Sequence, residues 1–161
     1  MAGVTDFSAP TRAAFAGRSP RVLIVEARFY AAIADELVAG AEAAIAAVGG
    51  DATRVAVPGA FEIPGAIAMA DMAKPYDAYV ALGCVIRGET THYDYVCGES
   101  ARGLQDLAVR KGLAIGYGIL TVENEEQAWA RAKRDKGNKG ADAANAALAM
   151  AAFKRSLGAA S

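Results

Sequence analysis

Four short apolar runs, each followed by a stretch with helical character, constrain this chain more than any other feature of its sequence. The runs are rich in β-branched residues, as buried parallel strands are, and they lie at residues 21–26, 53–57, 77–86 and 114–122. The segments between them are too long for hairpins and suit β-α-β crossovers. The pattern predicts one α/β domain, a three-layer αβα sandwich whose four-stranded parallel sheet carries helices on both faces.

The helical stretches carry start signals of their own. Helices are predicted at residues 31–48, 64–72, 91–112, 124–134 and 141–157. Pro64 suits the first turn of a helix, because the N–H that proline lacks would have no partner there. Thr91 and Asp94 have the spacing of a capping box, and Asn124 is a favourable N-cap residue.

The size and alanine content of the chain limit the core it can build. Its 161 residues suffice for one domain, and 40 of them are alanine, whose side chain buries little area. Such a composition predicts helices packed closely on the sheet and suggests an oligomer. Residues 1–20 are polar and broken by glycine and proline, so we expect a flexible or partner-docked arm there, a single domain over 21–157 and a short tail at 158–161.

Charge and cysteine spacing argue against several classes of protein. A net charge of −1 offers no basic field for nucleic acid or an acidic membrane surface. Cys84 and Cys97 have no histidine at metal-ligand spacing, which argues against a metal site or disulfide scaffold and favours a reducing compartment. We find no apolar stretch of transmembrane length and no signal peptide, so we expect a cytoplasmic protein with neither a membrane nor a nucleic-acid partner.

The loops after the four strands carry the reactive and recognition residues. Ligands of open parallel sheets bind outside the carboxyl ends of the strands. His92, the only histidine, follows Arg87 and Thr90 at a predicted helix N-terminus. This group suits a phosphorylated substrate that undergoes acid–base chemistry. The alternatives are a surface or capping role for His92 and plain helix capping by Thr90 and Thr91. Phe29 and Phe61 lie in loops, where they either stack on a flat ring or close the core.

Two other interpretations compete for these residues. Cys84 and His92 could act as a nucleophile and its base, but the sequence offers no evident third group to orient the imidazole. Arg131 and Lys139 belong to a basic cluster whose simplest interpretation is a solvated face. The chain has neither a complete G-x-G-x-x-G after its first strand nor a P-loop pattern, which weakens a nucleotide-binding hypothesis.

Five segments are specific enough to compare with a known family. They are ARFY at 27–30, VPGAFEIP at 57–64, ALGCVIRGETTHYDYVC at 81–97, YGILTVENEEQA at 117–128 and GNKG at 137–140. Together they resemble the 6,7-dimethyl-8-ribityllumazine synthase family, from about Arg21 to Leu157. The resemblance implies a flavodoxin-like domain that condenses 5-amino-6-(D-ribitylamino)uracil with 3,4-dihydroxy-2-butanone 4-phosphate. The products would be the lumazine, phosphate and water, in the penultimate step of riboflavin biosynthesis, with no cofactor and no metal.

The resemblance also implies roles for individual residues in holding the pyrimidine. Binding of the ribitylaminouracil would fall to Phe29, Ala60, Phe61, Glu62, Cys84, Val85, Ile86, Tyr117 and Lys139. The Phe29 ring would stack on the pyrimidine. The Glu62 carboxylate would accept hydrogen bonds from the ribityl hydroxyls, and the backbone at 84–86 would read the uracil edge.

An active site shared between subunits is a further implication of the resemblance. The butanone phosphate would be held by Glu89, Thr90 and Arg131, and His92 would be the catalytic residue that moves protons. An adjacent subunit would donate Tyr117, Arg131 and Lys139. The resemblance thus implies a homopentamer and leaves open a decamer or a sixty-subunit icosahedral capsid built from pentamers. It also suggests riboflavin synthase as a protein partner.

Three positions and one stretch depart from the pattern of the family. The stretch, residues 133–136, differs from the glycine-containing turn typical of members that form icosahedral shells, although its short length still permits a shell. Cys84 stands where threonine is expected, Tyr117 where phenylalanine is common, and Tyr30 where a small polar residue is frequent. A backbone contact tolerates the change at Cys84, whereas Tyr30 and Tyr117 are expected to change the rim and polarity of the pocket. The alternative to an active enzyme is a catalytically silent protein of the same fold that binds a flavin-like ring or forms a shell.

Overall fold

A four-stranded parallel sheet forms the centre of the molecule. The computed structural model describes residues 7–158, so the first six residues of the predicted arm and the last three of the predicted tail lie outside the described residues. The strands are β1 (Arg21–Ala27), β2 (Asp51–Val57), β3 (Ala78–Ile86) and β4 (Ile115–Val122). They lie in the order β2-β1-β3-β4, and every neighbouring pair is parallel, as predicted.

Five helices connect and cover the strands. They are α1 (Ala31–Ala47), α2 (Ile63–Ala73), α3 (His92–Lys111), α4 (Glu125–Ala132) and α5 (Lys139–Ser156). Two short 3-10 helices span Arg12–Phe15 and Ala60–Glu62. Helix α4 ends earlier than predicted because Lys133 leaves helical geometry, and α5 starts directly after Asn138, whose φ of 48° is left-handed. Judged by length and hydropathy, none of the helices within residues 7–158 could span a lipid bilayer.

Two of the predicted helix-start signals are confirmed and one is wrong. Pro64 lies in the first turn of α2, and the side chain of Asn124 caps α4 by accepting a hydrogen bond from the Gln127 amide at 2.9 Å. Thr91 does not form a capping box. Its backbone is helical and its hydroxyl makes no cap bond, and the Asp94 carboxylate pairs with Arg87 at 3.4 Å. A helical residue cannot aim its side chain back at the amides that follow it, which explains the failure.

Side chains alternate between the two faces of the sheet and build two cores. Val22 and Ile24 of β1 pack on the face covered by α1, α4 and α5. Leu23 and Val25 pack on the other face, which α2 and α3 cover. The chain therefore forms a three-layer α/β sandwich of the flavodoxin-like kind, as predicted.

Small residues let α1, α5 and β4 approach one another closely. A methyl group on Gly140 would overlap the Leu37 carbonyl of α1, and one on Gly116 of β4 would overlap the Ala143 carbonyl of α5. The buried alanines of the two helices are Ala34, Ala41, Ala143, Ala144, Ala147 and Ala151. These six alanines serve packing within one chain.

The second half of the predicted N-terminal arm lies against the domain of its own chain. Phe15 is buried, and the Arg155 guanidinium of α5 lies 5.1 Å from the centre of its ring. Arg155 also donates a hydrogen bond to the Arg18 carbonyl at 2.7 Å, and the Arg18 side chain pairs with Asp77 at 2.8 Å. Contact of the arm with a neighbouring subunit stays a prediction.

Replacing Gly140 with alanine should destabilise the fold, because the added methyl group meets the backbone of α1. We expect a loss of about 2 kcal/mol of unfolding free energy, the scale of overpacking in a core that cannot yield. Urea and thermal unfolding at one fixed protein concentration measure the effect.

Gly65→Ala is the matched control for this variant. Gly65 also lies in the first turn of a helix, but a methyl group on it would enter open space. The higher helix propensity of alanine should raise stability by up to about 1 kcal/mol. Equal unfolding midpoints for the two variants would contradict the close packing of α1 against α5.

Candidate active site

A cleft of about 710 Å³ opens at the carboxyl end of the sheet, within the size range of small-molecule sites. The chain crosses from β1 to β2 on one side and returns to β3 on the other, so the strand order reverses here. Ligands of such sheets bind at this reversal. The predicted site residues in the cleft wall are Phe29, Ala60, Phe61, Glu62, Cys84, Val85, Ile86, Thr90 and His92.

The strand register leaves backbone groups of β3 free at the cleft. Strand β1 pairs with β3 only as far as Glu26 and Leu82, whereas β4 pairs with it as far as Ile86. Over residues 83–86 the sheet therefore holds the backbone of β3 on the β4 side only. Free amide and carbonyl groups on a strand edge can bind complementary donors and acceptors of a ligand.

The two loop phenylalanines are exposed in the cleft and do not close the core. Phe29 is 77% exposed and Phe61 is 56% exposed. The Phe29 ring meets the Tyr30 ring edge-on, with centroids 4.9 Å apart. Tyr30 in turn packs against the core and forms part of the cleft wall. The geometry therefore favours ring stacking over the core-closing role for both phenylalanines.

Polar groups of the cleft come from the starts of α2 and α3. Glu62 directly precedes α2, at the end of the 3-10 helix Ala60–Glu62, and its exposed carboxylate borders the cleft. His92 is the first residue of α3, and its backbone amide lies 3.4 Å from the Thr90 hydroxyl oxygen. A carboxylate, a hydroxyl and an imidazole thus border one space, which suits the binding of hydroxyl groups together with proton transfer.

Arg87 ties down the loop that carries these groups. Its Nε donates a hydrogen bond to Glu123 at 2.8 Å, and a terminal nitrogen approaches Asp94 at 3.4 Å. The guanidinium also lies 4.2 Å from the centre of the Tyr93 ring. Because carboxylates and a ring engage its charge, Arg87 holds the loop between β3 and α3 and is not part of the cleft wall.

Cys84 borders the same cleft as His92, yet its environment argues against a nucleophile. Burial raises the pKa of the Cys84 thiol to about 11, with a smaller contribution from Cys97. The group is a neutral thiol at pH 7, and the thiolate is the nucleophilic form.

Within residues 7–158, no cluster of three or more His, Cys, Asp or Glu side chains could hold a metal ion.

Four predicted site residues are absent from the wall of this cleft, namely Glu89, Tyr117, Arg131 and Lys139. Tyr117 of β4 lines a smaller groove of about 320 Å³ against α3. Arg131 donates a hydrogen bond to the Gln127 carbonyl of its own helix at 3.0 Å, and Lys139 pairs with Asp142 at 3.1 Å. One subunit by itself does not bring these side chains to the cleft.

The structure adds cleft residues that the sequence analysis did not single out. Tyr93, Tyr95 and Val96 extend the wall along the first turns of α3. The spacing of Tyr95 and Val96 from His92 was a usable signal, because residues three and four apart on a helix share a face. Tyr93, directly after His92, carried no such signal. Glu26, a buried carboxylate at the end of β1, was also missed.

Comparison with known proteins identifies a family and several close relatives. A family profile described as 6,7-dimethyl-8-ribityllumazine synthase matches residues 19–155. The chain is 58% identical over 142 residues to the 6,7-dimethyl-8-ribityllumazine synthase of Bartonella tribocorum, covering 88% of this chain and 94% of that protein.

Relatives in other genera are as similar. The protein of the same name from Methylorubrum populi is 62% identical over 140 residues, which are 84% of this chain and 83% of the relative. The 6,7-dimethyl-8-ribityllumazine synthase 1 of Rhizobium meliloti is 58% identical over 143 residues, which are 86% and 94% of the two chains. The chain belongs to the 6,7-dimethyl-8-ribityllumazine synthase family.

Proposed function

We propose that the chain condenses 5-amino-6-(D-ribitylamino)uracil with 3,4-dihydroxy-2-butanone 4-phosphate to 6,7-dimethyl-8-ribityllumazine, phosphate and water. One observation carries this function for a member of the family. The loops after β1, β2 and β3 bring two exposed aromatic rings, a carboxylate and the only histidine to one cleft, and the end of β3 adds free backbone groups. A planar ring with a polyhydroxyl chain requires these groups.

The pyrimidine is expected to lie against the free edge of β3. The Phe29 ring provides a flat apolar face, and the backbone at 84–86 offers donors and acceptors to the uracil edge. The segment Ala60–Glu62 runs along the other wall, where the Glu62 carboxylate accepts hydrogen bonds from the ribityl hydroxyls.

The reaction requires that the two substrates be held in the right orientation and that protons be transferred. The 5-amino group of the pyrimidine attacks the ketone carbon, and one water leaves as an imine forms. Phosphate is then eliminated, and the ribityl-bearing nitrogen closes the second ring on the remaining carbonyl with loss of a second water. Each step moves a proton to or from nitrogen or oxygen, and we assign this task to His92 at the cleft. No covalent protein intermediate is required, in keeping with the neutral thiol of Cys84.

The phosphate is expected to lie between two subunits. Glu89 and Thr90 contribute backbone and hydroxyl groups from the loop before α3, and Arg131 of an adjacent subunit supplies the positive charge. Tyr117 and Lys139 of that subunit complete the site. The placement of these three side chains away from the cleft of their own chain supports this division.

The surface of the single chain supports an assembly of several copies. Strand β2 is an edge strand and is exposed along most of its length. Parallel sheets are normally covered on both faces. Large exposed apolar side chains include Met69, Met72, Val109, Met150, Phe153 and Leu157. We propose a homopentamer, with a decamer or a sixty-subunit shell as larger assemblies of the same unit.

The product of the reaction and the free cysteines suggest a partner protein and a compartment. Riboflavin synthase, which consumes the lumazine, is the partner protein we propose. Cys84 and Cys97 are free thiols, as expected in a reducing compartment, and we propose the cytoplasm.

Product formation tests the proposed reaction directly. Incubating the protein with both substrates should yield the lumazine, measured by its absorbance, well above the rate without protein. We expect no metal to take part, so a chelator should leave the rate unchanged. Binding of the pyrimidine without faster product formation would instead support a catalytically silent protein of the same fold.

Arg131→Ala should selectively weaken binding of the butanone phosphate. Loss of a charge-assisted hydrogen bond to phosphate should raise the KM for the butanone phosphate about tenfold to a hundredfold. The KM for the pyrimidine should change by less than about twofold, because the pyrimidine does not meet this charge. Steady-state kinetics with each substrate varied in turn gives both values.

Arg134→Ala is the matched control for the Arg131 variant. Arg134 follows shortly after Arg131 but is paired with Glu36 of its own chain at 2.8 Å. Its removal should leave both KM values near those of the unmodified protein. Equal losses for the two substrates in Arg131→Ala would contradict the phosphate role.

A further inference from the structure

Glu26 is a buried carboxylate at the carboxyl end of β1, with only 2% of its surface exposed. Arg54 of β2 donates two hydrogen bonds to it, at 2.7 and 3.0 Å, and Arg28 donates one at 2.5 Å. Burial of a charge is costly unless it is paired and hydrogen-bonded. Burial disfavours the charged form here, but the bonds from Arg54 and Arg28 outweigh it and hold the pKa of Glu26 below its usual range. The group is therefore an anion that anchors two cations.

The two arginines connect Glu26 to different parts of the molecule. Arg54 is a residue of β2 and also approaches Glu42 of α1 at 3.5 Å, so it ties an edge strand to a helix. Arg28 lies in the connection between β1 and α1, where it pairs with Asp35 of α1 at 2.5 Å. Arg28 thus links β1, through Glu26, to α1, through Asp35, and so holds the connection between them at both ends.

The connection that Arg28 fixes carries the stacking ring. Phe29 follows Arg28 directly, and its ring is in the cleft wall while the Arg28 side chain turns back to Glu26. Phe29 is 77% exposed, and its ring meets the edge of the Tyr30 ring. Little packing therefore holds the ring itself, and its placement depends on the backbone that bears it.

We propose that Glu26 and Arg28 are positioning residues that hold Phe29 in place to stack on the pyrimidine, an inference that rests on the proposed function of the cleft. Glu26 acts as the buried anchor and Arg28 as the link to the loop. Arg54 neutralises the same carboxylate without touching the loop, so its contribution is to stability. The two arginines of one carboxylate therefore have separable effects.

Comparison of Arg28→Met with Arg54→Met tests this separation. Each variant removes one partner of Glu26 and leaves the other, so the buried charge stays compensated in both. Arg28→Met should raise the KM for the pyrimidine about tenfold, with the KM for the butanone phosphate changed less than about twofold. Arg54→Met should lower the unfolding midpoint but leave both KM values within about twofold. Equal effects on the pyrimidine KM in the two variants would overturn the proposal.

A double-mutant cycle shows whether Arg28 acts through Phe29. Adding Arg28→Met to Phe29→Ala should weaken pyrimidine binding no further than Phe29→Ala alone, because the ring to be positioned is already gone. Additive losses would overturn the proposal. Arg28→Lys, which keeps the charge but not the forked geometry, should fall between the unmodified protein and Arg28→Met.

Calorimetric titration with the pyrimidine substrate alone separates this proposal from the proposed reaction. If the unmodified protein forms no lumazine, the reaction fails, but weaker pyrimidine binding by Arg28→Met than by Arg54→Met still supports the positioning role. If lumazine forms and both variants bind the pyrimidine equally, the reaction stands and the positioning role is wrong.

Discussion

The offset between β1 and β3 is the constraint on which the functional architecture depends. Because β1 ends its pairing at Glu26 while β3 continues to Ile86 beside β4, part of the central strand has an open edge. The chain leaves β1 at the same level, so its connection to α1 falls beside that edge. One feature of strand register thus creates both the free backbone groups of the cleft and the place for an aromatic ring across from them.

Close packing of small residues joins the sheet that carries this offset to one of its helical layers. Glycine at 116 and 140 and the buried alanines of α1 and α5 let these helices and β4 approach one another closely. The single chain nevertheless has an exposed edge strand, β2, and several large exposed apolar side chains. These exposed surfaces support the proposal that the chain completes its burial, and its active site, against copies of itself.

The fold and one half of the site could be predicted from the sequence, because both depend on local patterns. Apolar runs separated by crossovers specify a parallel sheet, and its carboxyl edge gathers Phe29, Glu62 and His92 whatever the details of the loops. The Thr91 cap failed because the local pattern does not show that Thr91 itself is helical. Glu26 was missed because a charged residue after an apolar run resembles the solvated end of a strand, and its partner Arg54 is distant in sequence. The absence of Tyr117 and Arg131 from the cleft of their own chain was expected only from the family resemblance, since local patterns do not show tertiary geometry.

The most direct test of the central claim, a cleft completed by a neighbouring subunit, is to mix two variants in one assembly. Phe29→Ala impairs the cleft side and Arg131→Ala the donated side, so co-producing them with different tags and isolating doubly tagged particles yields hybrids. Sites that pair an intact cleft with an intact neighbour should restore roughly a quarter of the unmodified activity, because random mixing leaves that share of interfaces unaltered. Hybrid activity no higher than the average of the two separate variants would contradict a shared site.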